Sequence, residues 1–231
     1  MGGSVPYGIY LQGTATFKQG YDMEIDRTGQ TGALDVAGVL FQSGGSLTTD
    51  QPTSMTVTAS ANDKKLQGIV LTTGEKLSTK TLMMTLNGNK SLTNFQGIVD
   101  ATNQTGKADM TVDGPLSITM KTGHEARTLD FRGKRNYVIG GDTTINISDV
   151  VTVYGLKTTG NVDFQGNVNM TLGATGDSWG IHAYRHETAQ ATDPAANVTL
   201  KKAVIKFTGD DKTVDQTAIY LQDKAQLEAE S

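Results

Sequence analysis

Apolar and polar residues alternate in short runs along the chain, and one run keeps returning. Tyr7-Gly8-Ile9-Tyr10-Leu11 comes back as Ala37-Gly38-Val39-Leu40-Phe41, Gln67-Gly68-Ile69-Val70-Leu71, Gln96-Gly97-Ile98-Val99, Tyr154-Gly155-Leu156, Trp179-Gly180-Ile181-His182 and Thr217-Ala218-Ile219-Tyr220-Leu221, with a weaker echo at Leu129-Asp130-Phe131. The apolar residue after the glycine stands at positions 9, 39, 69, 98, 129, 156, 181 and 219, giving spacings of 30, 30, 29, 31, 27, 25 and 38. Self-similarity at such a period is the mark of a solenoid. Each marker opens a pair of apolar residues two apart, as in Ile9 and Leu11, Val39 and Phe41, or Ile69 and Leu71. Side chains on a strand alternate with period two, so these pairs are expected to face inward from β-strands.

A second alternating run follows in most coils: Met23 and Ile25, Met55 and Val57, Met84 and Leu86, Met110 and Val112, Ile145 and Ile147, then Val168, Met170 and Leu172. Methionine is unbranched and fills irregular gaps, so its recurrence here reads as packing between coils. Gly, Asn and Asp clusters such as Gly29-Gln30-Thr31-Gly32, Asn87-Gly88-Asn89 and Gly140-Gly141-Asp142 supply the corners. The pattern predicts an all-β chain, a right-handed parallel β-helix of about eight coils. Helical spacing is confined to 188–196 and 223–230. The long spacing of 38 places an inserted loop near 188–197.

Composition narrows this further. Hydrophobic residues make up 36% and aromatics 6%, with 27 glycines, which suits the thin column of a β-solenoid better than a wide globular core. Residues 5–231 read as a single domain, Met1–Ser4 as an expression scar, and the whole as a piece of something longer. A net charge of −4 from 20 basic and 24 acidic residues offers no field for nucleic acid. There is no cysteine, which removes disulfides and thiolate sites. No apolar run reaches the roughly 18 residues of a spanning helix, and no signal-peptide pattern opens the chain. No cofactor motif and no metal-ligand spacing is present.

The Gly-then-β-branched strands, the Thr/Asn-rich runs Thr143-Thr144-Ile145-Asn146-Ile147 and Asn167-Val168-Asn169-Met170-Thr171-Leu172, and the lack of cysteine resemble the passenger regions of bacterial autotransporter adhesins. The resemblance implies a parallel β-helix displayed outside the bacterial outer membrane, held there through a barrel segment that this sequence does not contain. It implies attachment to a host or bacterial surface protein or glycan, or self-association, without an enzymatic step.

Four features bear on chemistry. Gly176-Asp177-Ser178 matches part of a serine-protease nucleophile segment, but Trp179 follows where glycine is needed, and a turn is the better reading. His182 and His186 flank Tyr184; on an extended strand the two imidazoles lie about 13 Å apart, too far to share a zinc ion, and they read as two solvated histidines. The densest charged stretch, His124 to Arg135, offers Arg127, Arg132, Lys134 and Arg135 as an anion contact. The residue between the inward pair in the first four coils, Tyr10, Leu40, Val70 and Val99, forms an apolar stripe that is either a contact surface or covered by the chain itself. The expected binding residues are thus Tyr10, Leu40, Val70, Val99, Arg127, Arg132, Arg135, His182, Tyr184 and His186. The competing functions are a polysaccharide lyase or hydrolase on the same scaffold, and a passive stalk. Three or more charged side chains converging on one lateral face would favour the enzyme.

Overall fold

The computed structural model describes residues 6–42, 44–72, 74–100, 109–132, 136–184, 195–209 and 214–229. The chain winds as a parallel β-helix with three strands to a coil. The first three coils are β1 (Tyr7–Leu11), β2 (Thr14–Phe17) and β3 (Asp22–Asp26); β4 (Asp35–Phe41), β5 (Ser46–Thr49) and β6 (Thr53–Thr58); and β7 (Lys65–Leu71), β8 (Lys76–Thr79) and β9 (Leu82–Asn87). Then come β10 (Asn94–Asp100), β11 (Asp109–Val112), β12 (Leu116–Phe131), β13 (Asn136–Ile139), β14 (Thr143–Thr158), β15 (Asn161–Ala174), β16 (Ser178–Ala183), β17 (Asn197–Phe207), β18 (Gln216–Leu221) and β19 (Gln226–Ala229). The long strands turn a corner without leaving the sheet: β12 bends at Thr122 and β14 at Asp149, both with positive φ.

Every pairing is parallel and joins one coil to the next, which divides the wall into three faces. The first face stacks β1, β4, β7, β10, the second halves of β12 and β14, β16 and β18. The second stacks β2, β5, β8, β11, β13, the first parts of β15 and β17, and β19. The third stacks β3, β6, β9, the first halves of β12 and β14, and the later parts of β15 and β17. The eight returning runs are the eight strands of the first face. The period-two runs on the second face, Leu47 and Thr49 or Tyr137 and Ile139, are a strand that the two-run reading did not separate. Met110 and Val112 belong to it, since Met110 pairs with Leu77 and Tyr137, not with the third-face methionines.

The inward pairs line one continuous column. Val39, Phe41, Ile69, Leu71, Leu129 and Phe131 are all fully buried. The column opens at both ends: Ile9, Phe17, Met23 and Ile25 of the first coil are only partly covered, and Ile219 and Leu221 of the last are 44% and 41% exposed. The segment 223–230, read from its spacing as a helical candidate, instead turns at Asp223 and Lys224 and continues as β19, with Leu227 against Val198. Pairing with an open strand satisfies its backbone, which overrides a weak helical propensity. Of the insertion near 188–197, only the last three positions are among the described residues; Ala196 is fully buried and Asn197 opens β17.

The repeated glycine has a packing cause. Across it the side-chain pattern slips, so that Leu66 and Ile69 both point inward while Gln67 and Val70 point outward. The methionine of the third face in the same coil occupies the space a β-carbon would need. A Cβ on Gly38 would lie 2.4 Å from Met55 Sδ, on Gly68 2.1 Å from Met84 Sδ, and on Gly155 2.6 Å from Met170 Sδ. In the seventh coil Ile205 takes that place beside Gly180, at 2.7 Å. The methionines therefore fill a gap within their own coil, a gap that glycine creates. A Cβ on Gly68 would also meet the Gly97 carbonyl oxygen at 2.7 Å. Gly68→Ala is thus expected to cost about 3 kcal/mol by overpacking, and Met84→Ala in the same chain to recover only part, because the carbonyl contact stays. Denaturant melts of the two single variants and the double variant check this: strictly additive effects would show that the sulfur does not set the glycine.

Candidate functional site

The outward side of the first face carries two rows in strict register. One runs Tyr7, Ala37, Gln67, Gln96, Arg127, Tyr154, Trp179, Thr217; the other runs Tyr10, Leu40, Val70, Val99, Asp130, Lys157, His182, Tyr220. Their chemistry changes along the stack, from apolar and amide groups in the early coils, through a charged fifth coil, to an aromatic patch in the last three.

The expected apolar stripe is mostly closed. Val70 and Val99 are 5% and 2% exposed and pack with Ala37 and the partly buried Leu40 as a small cluster separate from the main column. Stacked outward branched side chains cover one another, so Leu40, Val70 and Val99 present little surface to a partner. Tyr10 alone remains open, at 44%, its hydroxyl donating to Gln42.

In the fifth coil Asp130 is fully buried although it points outward. Arg132 donates to both of its oxygens, Nε at 3.0 Å and Nη2 at 2.8 Å; Arg127 Nη1 lies at 3.3 Å and Gln96 Nε2 donates at 2.7 Å. Gln67 in turn donates to Gln96 at 2.6 Å, extending the chain of bonds across three coils. Burial works to raise the Asp130 pKa, but the Arg132 hydrogen bonds, the charges of Arg132 and Arg127 and the Gln96 bond together hold it below the usual carboxylate range. Arg127 is further tied to Glu125 at 2.5 Å. Arg132 keeps Nη1 outside these bonds.

Beyond this coil the rings gather. Tyr154 and Trp179 stack with centroids 4.5 Å apart and planes 8° from parallel. His182 packs against Tyr154, Tyr184 and Tyr220 at 5.9, 5.0 and 5.0 Å. Lys157 Nζ lies over the Tyr154 ring at 4.7 Å and the Tyr184 ring at 5.7 Å, a cation–π arrangement. Among the described residues it has no carboxylate within ion-pair distance. Desolvation, then the charge of Arg127, lowers the Lys157 pKa. His182 is lowered by desolvation and by Lys157; neither ring nitrogen makes a well-formed hydrogen bond, although the Gln222 side chain is near enough to favour the charged form slightly. The imidazole is therefore not solvated as its position on an open strand suggested. The rings of Tyr154, Tyr184 and Tyr220 packed around it dry it.

The structure brings Arg127, Arg132, His182 and Tyr184 onto one face, while Arg135 and His186, with Lys134, lie outside the described residues. Tyr154, Lys157, Trp179 and Tyr220 were missed as site residues. The signal was available, because the outward position that marks Tyr10, Leu40, Val70 and Val99 leads, if continued, to Asp130, Lys157, His182 and Tyr220. Concavities elsewhere fit a ligand less well. A cleft of about 490 Å³ on the second face is lined by Asp163, Gln165, Thr199, Lys201 and Glu228, but the Asp163 carboxylate is already satisfied by Thr199 at 2.5 Å and Gln165 at 2.9 Å. Another, of about 700 Å³ beside Tyr7, Tyr10, Leu40 and Thr72, carries no charged side chain. Among the described residues no group of three or more His, Asp or Glu is placed to hold a metal ion, and no helix is long and apolar enough to cross a membrane.

No family model, curated protein or solved structure matches this chain. The fold therefore rests on the strand register itself, and any functional reading on the chemistry of the first face.

Proposed function

We propose that the chain is a binding module of the surface-adhesin kind, displayed outside a bacterial cell as autotransporter passengers are, and that it attaches through the outward side of its first face. The observation that carries this is the contiguous patch of Tyr154, Trp179, His182, Tyr184 and Tyr220 with Lys157 among the rings. Aromatic anchors dominate binding energetics where they cluster, and a patch spread over three stacked coils suits an extended ligand. Trp179→Ala is expected to weaken attachment of the chain to target cells or matrix at least tenfold while leaving the melting temperature nearly unchanged. Attachment unaffected by that change, with folding intact, would refute the role of this face.

A second reading has one observation in its favour. Arg127, Asp130, Arg132 and Lys157 converge on a single lateral face, and the desolvated lysine stands beside two guanidinium groups, an arrangement suited to base-catalysed elimination on a polysaccharide. Hydrolysis by paired carboxylates is poorly served, since Asp130 is buried and fully engaged. Incubation with polysaccharide and ultraviolet detection of a new carbon–carbon double bond distinguishes this reading from binding alone.

A further inference from the structure

Arg127, Arg132 and Lys157 against Glu125 and Asp130 leave the patch with one net positive charge. Asp130 is sealed under Arg132, Arg127 and Gln96, and Glu125 is occupied by Arg127. Among the described residues the Lys157 ammonium has no carboxylate within ion-pair distance, and Arg132, paired with Asp130 through Nε and Nη2, keeps Nη1 outside those bonds on a side chain 34% exposed. Beside these cations lie Trp179, one face of which is stacked on Tyr154 with the planes 8° from parallel, and Tyr220 at 44% exposure. A ligand complementary to this surface has anionic groups at intervals and, between them, rigid rings with apolar faces. Adjacent coils are about 4.8 Å apart, so the three coils that bear Tyr154, Trp179 and Thr217 advance by roughly one sugar ring each along an extended glycan.

From this geometry we infer that the ligand of the first face is an acidic polysaccharide, its sugar rings packing against Trp179 and Tyr220 and its carboxylates meeting Lys157 and Arg132. The inference rests on the lateral-face reading above. Single-stranded nucleic acid also stacks on rings, but it draws its affinity from many cations along the backbone; this patch offers one lysine and one guanidinium edge on a chain of net charge −4. Carboxylate recognition by a guanidinium edge and a lysine is charge-assisted and directional.

Isothermal titration or glycan-array binding with polygalacturonate, dextran, polyglutamate and an oligonucleotide tests it, using the whole chain. The expected result is binding to polygalacturonate and not to dextran, lowered at least tenfold by Lys157→Met and by Trp179→Ala, with Lys157→Arg restoring most of the first loss. Thermal melts of each variant confirm the fold. Equal binding of dextran, or no effect of Lys157→Met, would overturn the acidic class. Polyglutamate or the oligonucleotide bound as tightly as polygalacturonate would overturn the sugar. If polygalacturonate does not bind but cell attachment still falls with Trp179→Ala, this inference fails and the lateral-face reading stands; if both tests are silent, both fail.

Discussion

Ile69→Asp is expected to remove most or all of the stability of the chain. Ile69 is fully buried, stacked between Val39 and Ile98 in the centre of the column. Deleting the isoleucine forfeits about 2 to 3 kcal/mol of burial, and the carboxyl that replaces it has no hydrogen-bond partner in an apolar column, which costs several kcal/mol more even if it stays protonated. The sum approaches the roughly 5 to 15 kcal/mol that holds an ordinary domain. A solenoid has only nearest-neighbour contacts between coils, so a break here separates the stack into two parts that cannot cover for each other. Thr85→Lys, an outward change on the third face with Thr56 and Thr119 as its neighbours, is expected to move stability by no more than about 0.5 kcal/mol. Thermal and denaturant melts of the two variants check the register: comparable losses would mean that the two sides of the wall are not distinguished as described.

Arg132→Met is the second large effect. It removes both short contacts to a carboxylate that has no solvent exposure, a type of loss that costs about 3 to 5 kcal/mol when nothing compensates. Arg127 and Gln96 remain within reach of Asp130, and Arg132 is itself one-third exposed, so about 2 to 4 kcal/mol is expected here. The pH dependence separates this from simple loss of packing. In the native chain the folded pKa of Asp130 is depressed. Its contribution is therefore present above the unfolded value of about 3.9 and is lost as pH falls through the lower, folded value. In the variant, burial acts on a carboxylate with fewer partners, and protonation in acid relieves it. The gap in melting temperature between native chain and variant should accordingly be widest near neutral pH and narrow as pH drops below about 4. A gap that is constant with pH would assign the effect to packing and not to the charge of Asp130.

How far the site was legible can be followed along one row. The outward position after the marker was recognised at Tyr10, Leu40, Val70 and Val99, where the residues are apolar and the stripe is conspicuous. Sequence pattern does not reveal that stacked outward valines hide one another, which is why Val70 and Val99 turn out buried. Continued into later coils, the same position yields Asp130, Lys157, His182 and Tyr220, but these share no residue type, and only the register shows that they are neighbours. Arg127 and Arg132 stood out as a charge run. That they close over Asp130, leaving one guanidinium edge and, among the described residues, a lysine without a carboxylate partner, follows from where the strand pleat sends each side chain.

By itself the sequence determined the winding of the chain: the period of the returns, the strand on the first face, and the inward pairs Val39 and Phe41, Ile69 and Leu71, Leu129 and Phe131. Those are local properties, readable because period two and the spacing between coils are both written in one dimension. The tertiary structure alone decided the third strand of each coil, the strand at 226–229 in place of a helix, the fit of Met55, Met84 and Met170 against Gly38, Gly68 and Gly155, and the patch that gathers Tyr154, Lys157, Trp179 and Tyr220. Each of these is a contact between residues of different strands or coils. Its existence depends on how strands are aligned across a corner or a stacking step, and a shift of one residue would send every one of those side chains to the opposite side of the wall.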